Sequence, residues 1–145
     1  MRGQAKLSIF FISIIFACFS FGQEPKHFYN VDKEIKVEGT IQKITMEPRY
    51  ENTAPFLILA LEKKDTQQKY IVEVSPAWFF DHDFHKGENI AVTGSLYLTK
   101  EKTQNIIARE IQFRGETLVL RDKRGFPNWR GGPMKKRGIR KGKRF

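Results

Sequence analysis

Two groups of residues carry side chains able to do chemistry. The first is Asp81-His82-Asp83-Phe84-His85, in which two imidazoles stand three positions apart among two carboxylates. On a helical turn His82 and His85 share one face, and Zn²⁺, Cu²⁺ or Ni²⁺ accepts imidazole nitrogen together with carboxylate oxygen. Asp81, His82, Asp83 and His85 are therefore the candidate ligands of a divalent transition metal. A competent site needs a further ligand, for which spacing offers only the distant His27. The plain alternative is a solvated polar turn. Beyond that metal, the sequence calls for no cofactor.

The second group is the C-terminal run of cations. Arg121, Lys123, Arg124, Arg130, Lys135, Lys136, Arg137, Arg140, Lys141, Lys143 and Arg144 face one acid, Asp122, and carry the whole net charge of +10. The remaining 15 basic and 15 acidic residues cancel. Such a segment is drawn to polyanions through counterion release and to anionic lipid surfaces. Arg130-Gly131-Gly132 and Arg137-Gly138-Ile139-Arg140 are similar to flexible basic segments that bind nucleic acid without sequence choice. The expected partners are an anionic envelope component or an acidic protein, with peripheral membrane contact as a further option. Nucleic acid is less available to an exported chain. A solubilising tail without a dedicated partner is the plain alternative.

Export follows from the first 22 residues. Arg2 and Lys6 precede an apolar run over residues 7–21, interrupted only by Ser8, Ser13 and Ser20 and followed by Gly22. This is the charged, apolar, small-residue order of a cleavable signal peptide, directing the chain to the periplasm or beyond. Two alternatives stay open: retention as an anchor, although a span usually needs about 20 apolar residues, and a lipoprotein with Ile15-Phe16-Ala17-Cys18 as lipobox. Cys18 is the single cysteine, so cleavage after Gly22 leaves neither disulfide nor thiol chemistry. No Gly-x-Ser-x-Gly, phosphate-binding glycine loop or paired-carboxylate context is present, and the chain reads as a non-enzyme.

The elements that must position these groups are strands. Ile35, Val37, Gly39 and Ile41 alternate with Lys36, Glu38, Thr40 and Gln42, the period of a strand with one wet face. Pro48, Asn52 and Pro55 mark a loop, and residues 56–61 and 70–74 then form a hairpin. Ser75-Pro76 matches a helix start, so a short helix carrying Trp78, Phe79, Phe80 and Phe84 is expected at a barrel end. Those aromatics fill the core or, alternatively, form a binding patch. Residues 90–98 and 106–113 make strands four and five, and 118–120 a short closing strand. The expected organisation is a signal peptide (1–22), a linker (23–34), a β domain (35–120) and a basic tail (121–145). Composition leaves most of the tail beyond Trp129 disordered on its own. Phe126 and Trp129 either pack back on the barrel and root the tail, or stay exposed for a partner.

This order, with a helix between strands three and four, is that of an all-β, small five-stranded OB-like barrel. Val37-Glu38-Gly39-Thr40-Ile41 and Lys86-Gly87-Glu88-Asn89-Ile90-Ala91-Val92-Thr93-Gly94 resemble the first strand and the turn with fourth strand of exported bacterial OB-fold proteins. Thr117-Leu118-Val119-Leu120-Arg121-Asp122 with Gly125-Phe126-Pro127-Asn128-Trp129 resembles the ending of small envelope proteins of the magnetosome-associated MamS/MamX type. Over residues 35–129 the resemblance implies a fold and an envelope location, and it leaves the ligand open. The functional expectation is an exported binding or scaffold module whose tail contacts an anionic partner. A periplasmic metal-binding protein using residues 81–85 and a nucleic-acid-binding OB protein are the alternatives. The second is weakened by a thin stacking platform, Phe56 and Tyr70, and by 13 basic against 15 acidic residues over 23–120.

Overall fold

The computed structural model describes residues 28–50, 53–79, 81, 83–132 and 139–141, the last three by backbone alone. Strand β1 (Glu34–Glu47) is long enough to serve two neighbours, because its alternating apolar residues keep one face inward through most of its length. Its first half pairs antiparallel with β4 (Asn89–Leu98) and its second half with β2 (Phe56–Lys63). Gly39 belongs to both registers, opposite Lys63 and Ile90. A Cβ there would run into the Glu62 carbonyl oxygen, so the close approach of β2 requires glycine. A bulge at Gln42 then bends the strand between the two sheets.

Strand β3 (Lys69–Pro76) pairs antiparallel with β2, and β5 (Gln104–Phe113) with β4. Closure comes from a parallel seam in which Ile71, Val72 and Glu73 of β3 stand opposite Asn105, Ile106 and Ile107 of β5. The ring β1-β2-β3-β5-β4 returns to β1, a closed five-stranded mixed barrel. Its inside is filled by the inward residues of every strand, among them Val37, Ile41, Leu57, Leu59, Leu61, Val72, Val74, Val92, Ile106 and Ile111. Strand β6 (Glu116–Val119) pairs with β5 outside the ring and with β7 (Ile139–Lys141) on its other edge.

The helix expected between strands three and four is not formed. Among the described residues helical geometry is confined to two 3-10 turns, Val31–Lys33 and Asn128–Gly131. Ser75 and Pro76 finish β3 instead of starting a helix, with Pro76 opposite Phe56. The Ser75 hydroxyl donates to the Pro76 carbonyl (3.2 Å) and caps nothing. Sheet pairing at a buried edge wins over the local helix-start signal, and the aromatic plug survives without the helix: Phe79 and Phe84 are buried, while Trp78 stays exposed.

Residues 1–22, expected to be a signal peptide, with Cys18 among them, and His27 lie outside the described residues. No described helix is long and apolar enough to cross a membrane.

Candidate functional site

The outward face of β2 and β3 is not uniformly wet. Beside it opens a groove of about 450 Å³, floored by Ile58, Ala60 and Ile71 and walled by Lys43, Thr45, Arg49, Thr99, Lys100, Glu101 and Thr103. Two loops shape its ends, the one after β1 and the β4–β5 hairpin turn, which is tied by the Thr103 amide donating to the Thr99 hydroxyl (3.1 Å). The floor is aliphatic and the rim carries both signs of charge. Phe56 and Tyr70, the aromatics foreseen as a platform, are both buried.

One pleat further along β3, Glu73 is buried and accepts hydrogen bonds from the hydroxyls of Tyr50 (2.5 Å) and Tyr97 (3.3 Å). Burial, then the negative charge of Glu73, pushes the Tyr50 phenol well above its ordinary range. Tyr29 is raised in the same way, by burial first and by its 2.5 Å hydrogen bond to Glu34 second.

The root of the basic tail is built into the barrel. Arg109, the bulged residue of β5 at the register shift, presents its carbonyl to the amides of Leu120 (2.8 Å) and Arg121 (3.2 Å). The chain then makes a tight return: Asp122 accepts from the amides of Arg124 (2.8 Å) and Phe126 (3.0 Å), and Arg121 bridges to Pro127. Gly125 at φ +89° closes the turn against the Tyr29 ring, where no Cβ would fit.

Arg121 is buried, donating from Nη1 to the Gly125 carbonyl (3.0 Å), with its guanidinium 4.7 Å from the Trp129 ring centre and 5.8 Å from that of Tyr29. Its Nε has no hydrogen-bond partner among the described residues. Desolvation lowers its pKa. Trp129 also meets Phe56 and Phe79 edge-on, at 5.8 and 5.7 Å between centroids.

Of the foreseen cationic contacts, Arg121 therefore points inward, whereas Lys123, Arg124 and Arg130 are exposed. Arg140 and Lys141 sit on β7, whose backbone pairs with Thr117 and Glu116. Lys135, Lys136, Arg137, Lys143 and Arg144 lie outside the described residues.

The residues foreseen as metal ligands are distributed differently from a site. His82 lies outside the described residues, and Asp81 is exposed. Asp83 and His85 converge with Glu88 on a residue that the sequence did not single out, Arg114. Its Nη1 donates to Asp83 Oδ2 (2.7 Å), its Nε to Glu88 Oε1 (2.6 Å) and its Nη2 to His85 Nδ1 (2.8 Å). Arginine can only donate, so Nδ1 accepts and the imidazole proton sits on Nε2, 3.4 Å from Asp83 Oδ1. The Arg114 hydrogen bond holds the Asp83 carboxyl below the usual range, and the His85 amide does the same for Glu88. No group of three or more His, Cys, Asp or Glu able to hold a metal ion occurs among the described residues.

Sequence reasoning also missed the clamp of Arg109 on Glu34, with Nε and Nη2 donating to the two carboxylate oxygens at 3.0 and 2.7 Å. Glu34 and Arg109 are 75 positions apart, and only the barrel's register brings them together.

The model of the MamS/MamX magnetosome protein family matches residues 33–118, more than half of the chain and the whole of β1 to β5. No curated protein and no solved structure matches it.

Proposed function

The chain belongs to the MamS/MamX magnetosome protein family, and on that premise we propose that it is an exported, non-enzymatic binding or scaffold module of the cell envelope. In this reading an OB-type barrel carries a basic tail that makes salt-dependent contacts to an anionic partner. The OB assignment is supported by the ring β1-β2-β3-β5-β4 with its single parallel seam. Export is supported by the charged, apolar and small-residue order of residues 1–22.

The observation that carries the reading is the segregation of charge on a rooted tail. The barrel is nearly balanced, the eleven cations follow Leu120, and the Arg121–Trp129 stack fixes where they leave the barrel. A tether of fixed origin keeps its cations at high local concentration near whatever the barrel holds. The groove beside β2 and β3 is the barrel's own place for a ligand. Its aliphatic floor offers no ring on which a base could stack, which favours a partner other than single-stranded nucleic acid.

The test compares the chain beginning at Gln23 with a variant in which Lys135, Lys136, Arg137, Lys143 and Arg144 become Gln. Truncation at Leu120 is unsuitable, since it removes the docked Arg121 and Trp129. Heparin and single-stranded DNA serve as polyanion probes at low and high salt. Tail-dependent, salt-sensitive binding of both supports the reading. Binding of DNA alone that survives in the variant would move recognition to the barrel and reject it.

A further inference from the structure

Three large apolar side chains remain exposed around the tail's root: Phe28 (75 %), Phe126 (52 %) and Trp78 (48 %). Each is the chain neighbour of a residue in one packed cluster. Phe28 precedes Tyr29, whose ring lies against Gly125; Phe126 follows Gly125; Trp78 precedes Phe79, which packs on Trp129. Tyr29 and Trp129 are in turn bridged by Arg121. Each of the three exposed rings is thus one residue along the chain from a single packed cluster, and Trp78 also meets Phe79 of that cluster edge-on at 6.3 Å.

Cations are interleaved with them. Lys123 and Arg124 are exposed on the turn that Asp122 and Gly125 close, and the Arg130 guanidinium lies 5.8 Å from the Phe126 ring centre. The acid within this turn, Asp122, directs a carboxylate oxygen to two backbone amides, and Glu34 beside Tyr29 is clamped by Arg109. The chain leaves the cluster at Gly132, whose amide is bonded to the Trp129 carbonyl (3.1 Å), and Arg140 and Lys141 follow on β7.

Resting on the reading of the tail as an anionic contact, we infer that this aromatic and basic patch is a docking surface for a bilayer rich in acidic headgroups. A polysaccharide polyanion rewards charge alone, and exposed phenylalanines beside the cations add nothing to it. Single-stranded nucleic acid would stack on such rings, but the export read from residues 1–22 brings the chain to a bilayer rather than to nucleic acid. A bilayer interface rewards both, since Phe and Trp enter the headgroup region while Lys and Arg meet acidic lipid. The patch has that dual composition, and the charge complementarity selects an anionic leaflet over a neutral one. The contact is peripheral: the rings reach the interface from a turn and a loop, and the barrel stays outside.

The experiment is co-sedimentation of the chain beginning at Gln23 with vesicles of phosphatidylcholine, and of phosphatidylcholine with about 30 mol % phosphatidylglycerol. Heparin and single-stranded DNA binding are measured alongside. The expected result is binding to the anionic vesicles only, with a fraction surviving about 0.5 M salt. The Phe28→Ser, Phe126→Ser double variant should partition roughly tenfold less into anionic vesicles. Its heparin affinity should match the parent's, and its melting temperature should report an intact fold. Trp78→Ser gives an independent reading on a separate loop and should weaken vesicle binding in the same way.

Anionic-vesicle binding that is unchanged in the double variant and in Trp78→Ser overturns the inference while leaving the tail as a polyanion contact. Heparin binding without vesicle binding in the parent chain overturns it too, and so does DNA affinity that falls in the ring variants while vesicle binding holds. Absence of both overturns it together with the reading on which it rests.

Discussion

The guanidinium of Arg121 lies 4.7 Å from the ring centre of Trp129, and this stack fastens the segment after the barrel to the barrel wall. Arg121 carries a positive charge into a buried position, so the ring faces of Trp129 and Tyr29 and the Gly125 carbonyl replace part of its lost hydration. The same tryptophan closes an aromatic chain from Tyr50 through Phe56 to Phe79.

Trp129→Ala should therefore cost about 2 kcal/mol, less than a fully buried tryptophan because one side of the ring is wet. Urea unfolding measures it, and limited trypsin digestion should show faster cleavage after Lys123 and Arg124. A variant as stable as the parent and equally resistant to trypsin would mean that the segment does not hold to the wall.

Gly94 stands where β4 meets the register shift of β5, and a Cβ there would meet the Ile107 carbonyl oxygen and the Ala108 backbone. Neither neighbour is a flexible side-chain end that can swing away. Gly94→Ala should destabilise by about 3 kcal/mol, at the upper end for an inserted carbon, whereas Gly131→Ala, with open space around it, should stay within about 0.5 kcal/mol. Thermal melts of the pair decide this, and equal melting temperatures would refute the close approach.

Acid should loosen the Glu34–Arg109 clamp. The Arg109 hydrogen bonds, chiefly, and the Tyr29 hydroxyl hold the Glu34 carboxyl below its ordinary 4.5, against the opposing effect of burial. A carboxyl depressed in the folded state adds stability that is complete above its unfolded pKa and disappears as pH falls through the folded one. Much of Glu34 is solvated, so the contribution is about 0.5 kcal/mol. Glu34→Gln should melt lower than the parent at pH near 7 and converge with it well below pH 4.5. An undiminished difference at low pH would contradict the clamp.

Arg114 fills with its guanidinium the space that a cation would need between Asp83, His85 and Glu88. Zn²⁺ should shift the melting temperature of the parent by less than about 1 °C at neutral pH. Arg114→Gln should leave that shift as small, since the described residues hold no metal-competent group of His, Cys, Asp or Glu. A parent shift abolished by His82→Ala would instead restore residues 81–85 as a metal site.

Legibility in the sequence followed physical range. Strand-forming alternation is local, so Val37, Ile41, Ile90 and Val92 disclose their inward faces without reference to any partner, whereas past the register shift at Gly94 the alternation fails and Leu98 is exposed. Ser75-Pro76 misled because a cap signal is equally local, whereas the pairing of Pro76 with Phe56 that overrides it depends on a distant strand. The unbroken apolar run over 56–61 concealed which residues face outward, and Phe56 is buried because Tyr50 and Trp129 cover it from outside the barrel. In the candidate site, Asp83 and His85 were visible as a cluster. Arg114 was not, since it comes from a two-residue hairpin turn that reads as plain loop until the barrel folds it back.

The β3–β5 seam spans only three residue pairs, joining segments that are about 34 residues apart along the chain. Its parallel bonds are slanted and slightly weaker per residue, and it closes a longer stretch of chain than the β2–β3 and β4–β5 hairpins do. The barrel thus has a last-zipped and first-opened line. In amide hydrogen exchange it would appear as early labelling of those amides of residues 71–73 and 105–107 that point across the seam, while the ones bonded to β2 and β4 stay slow.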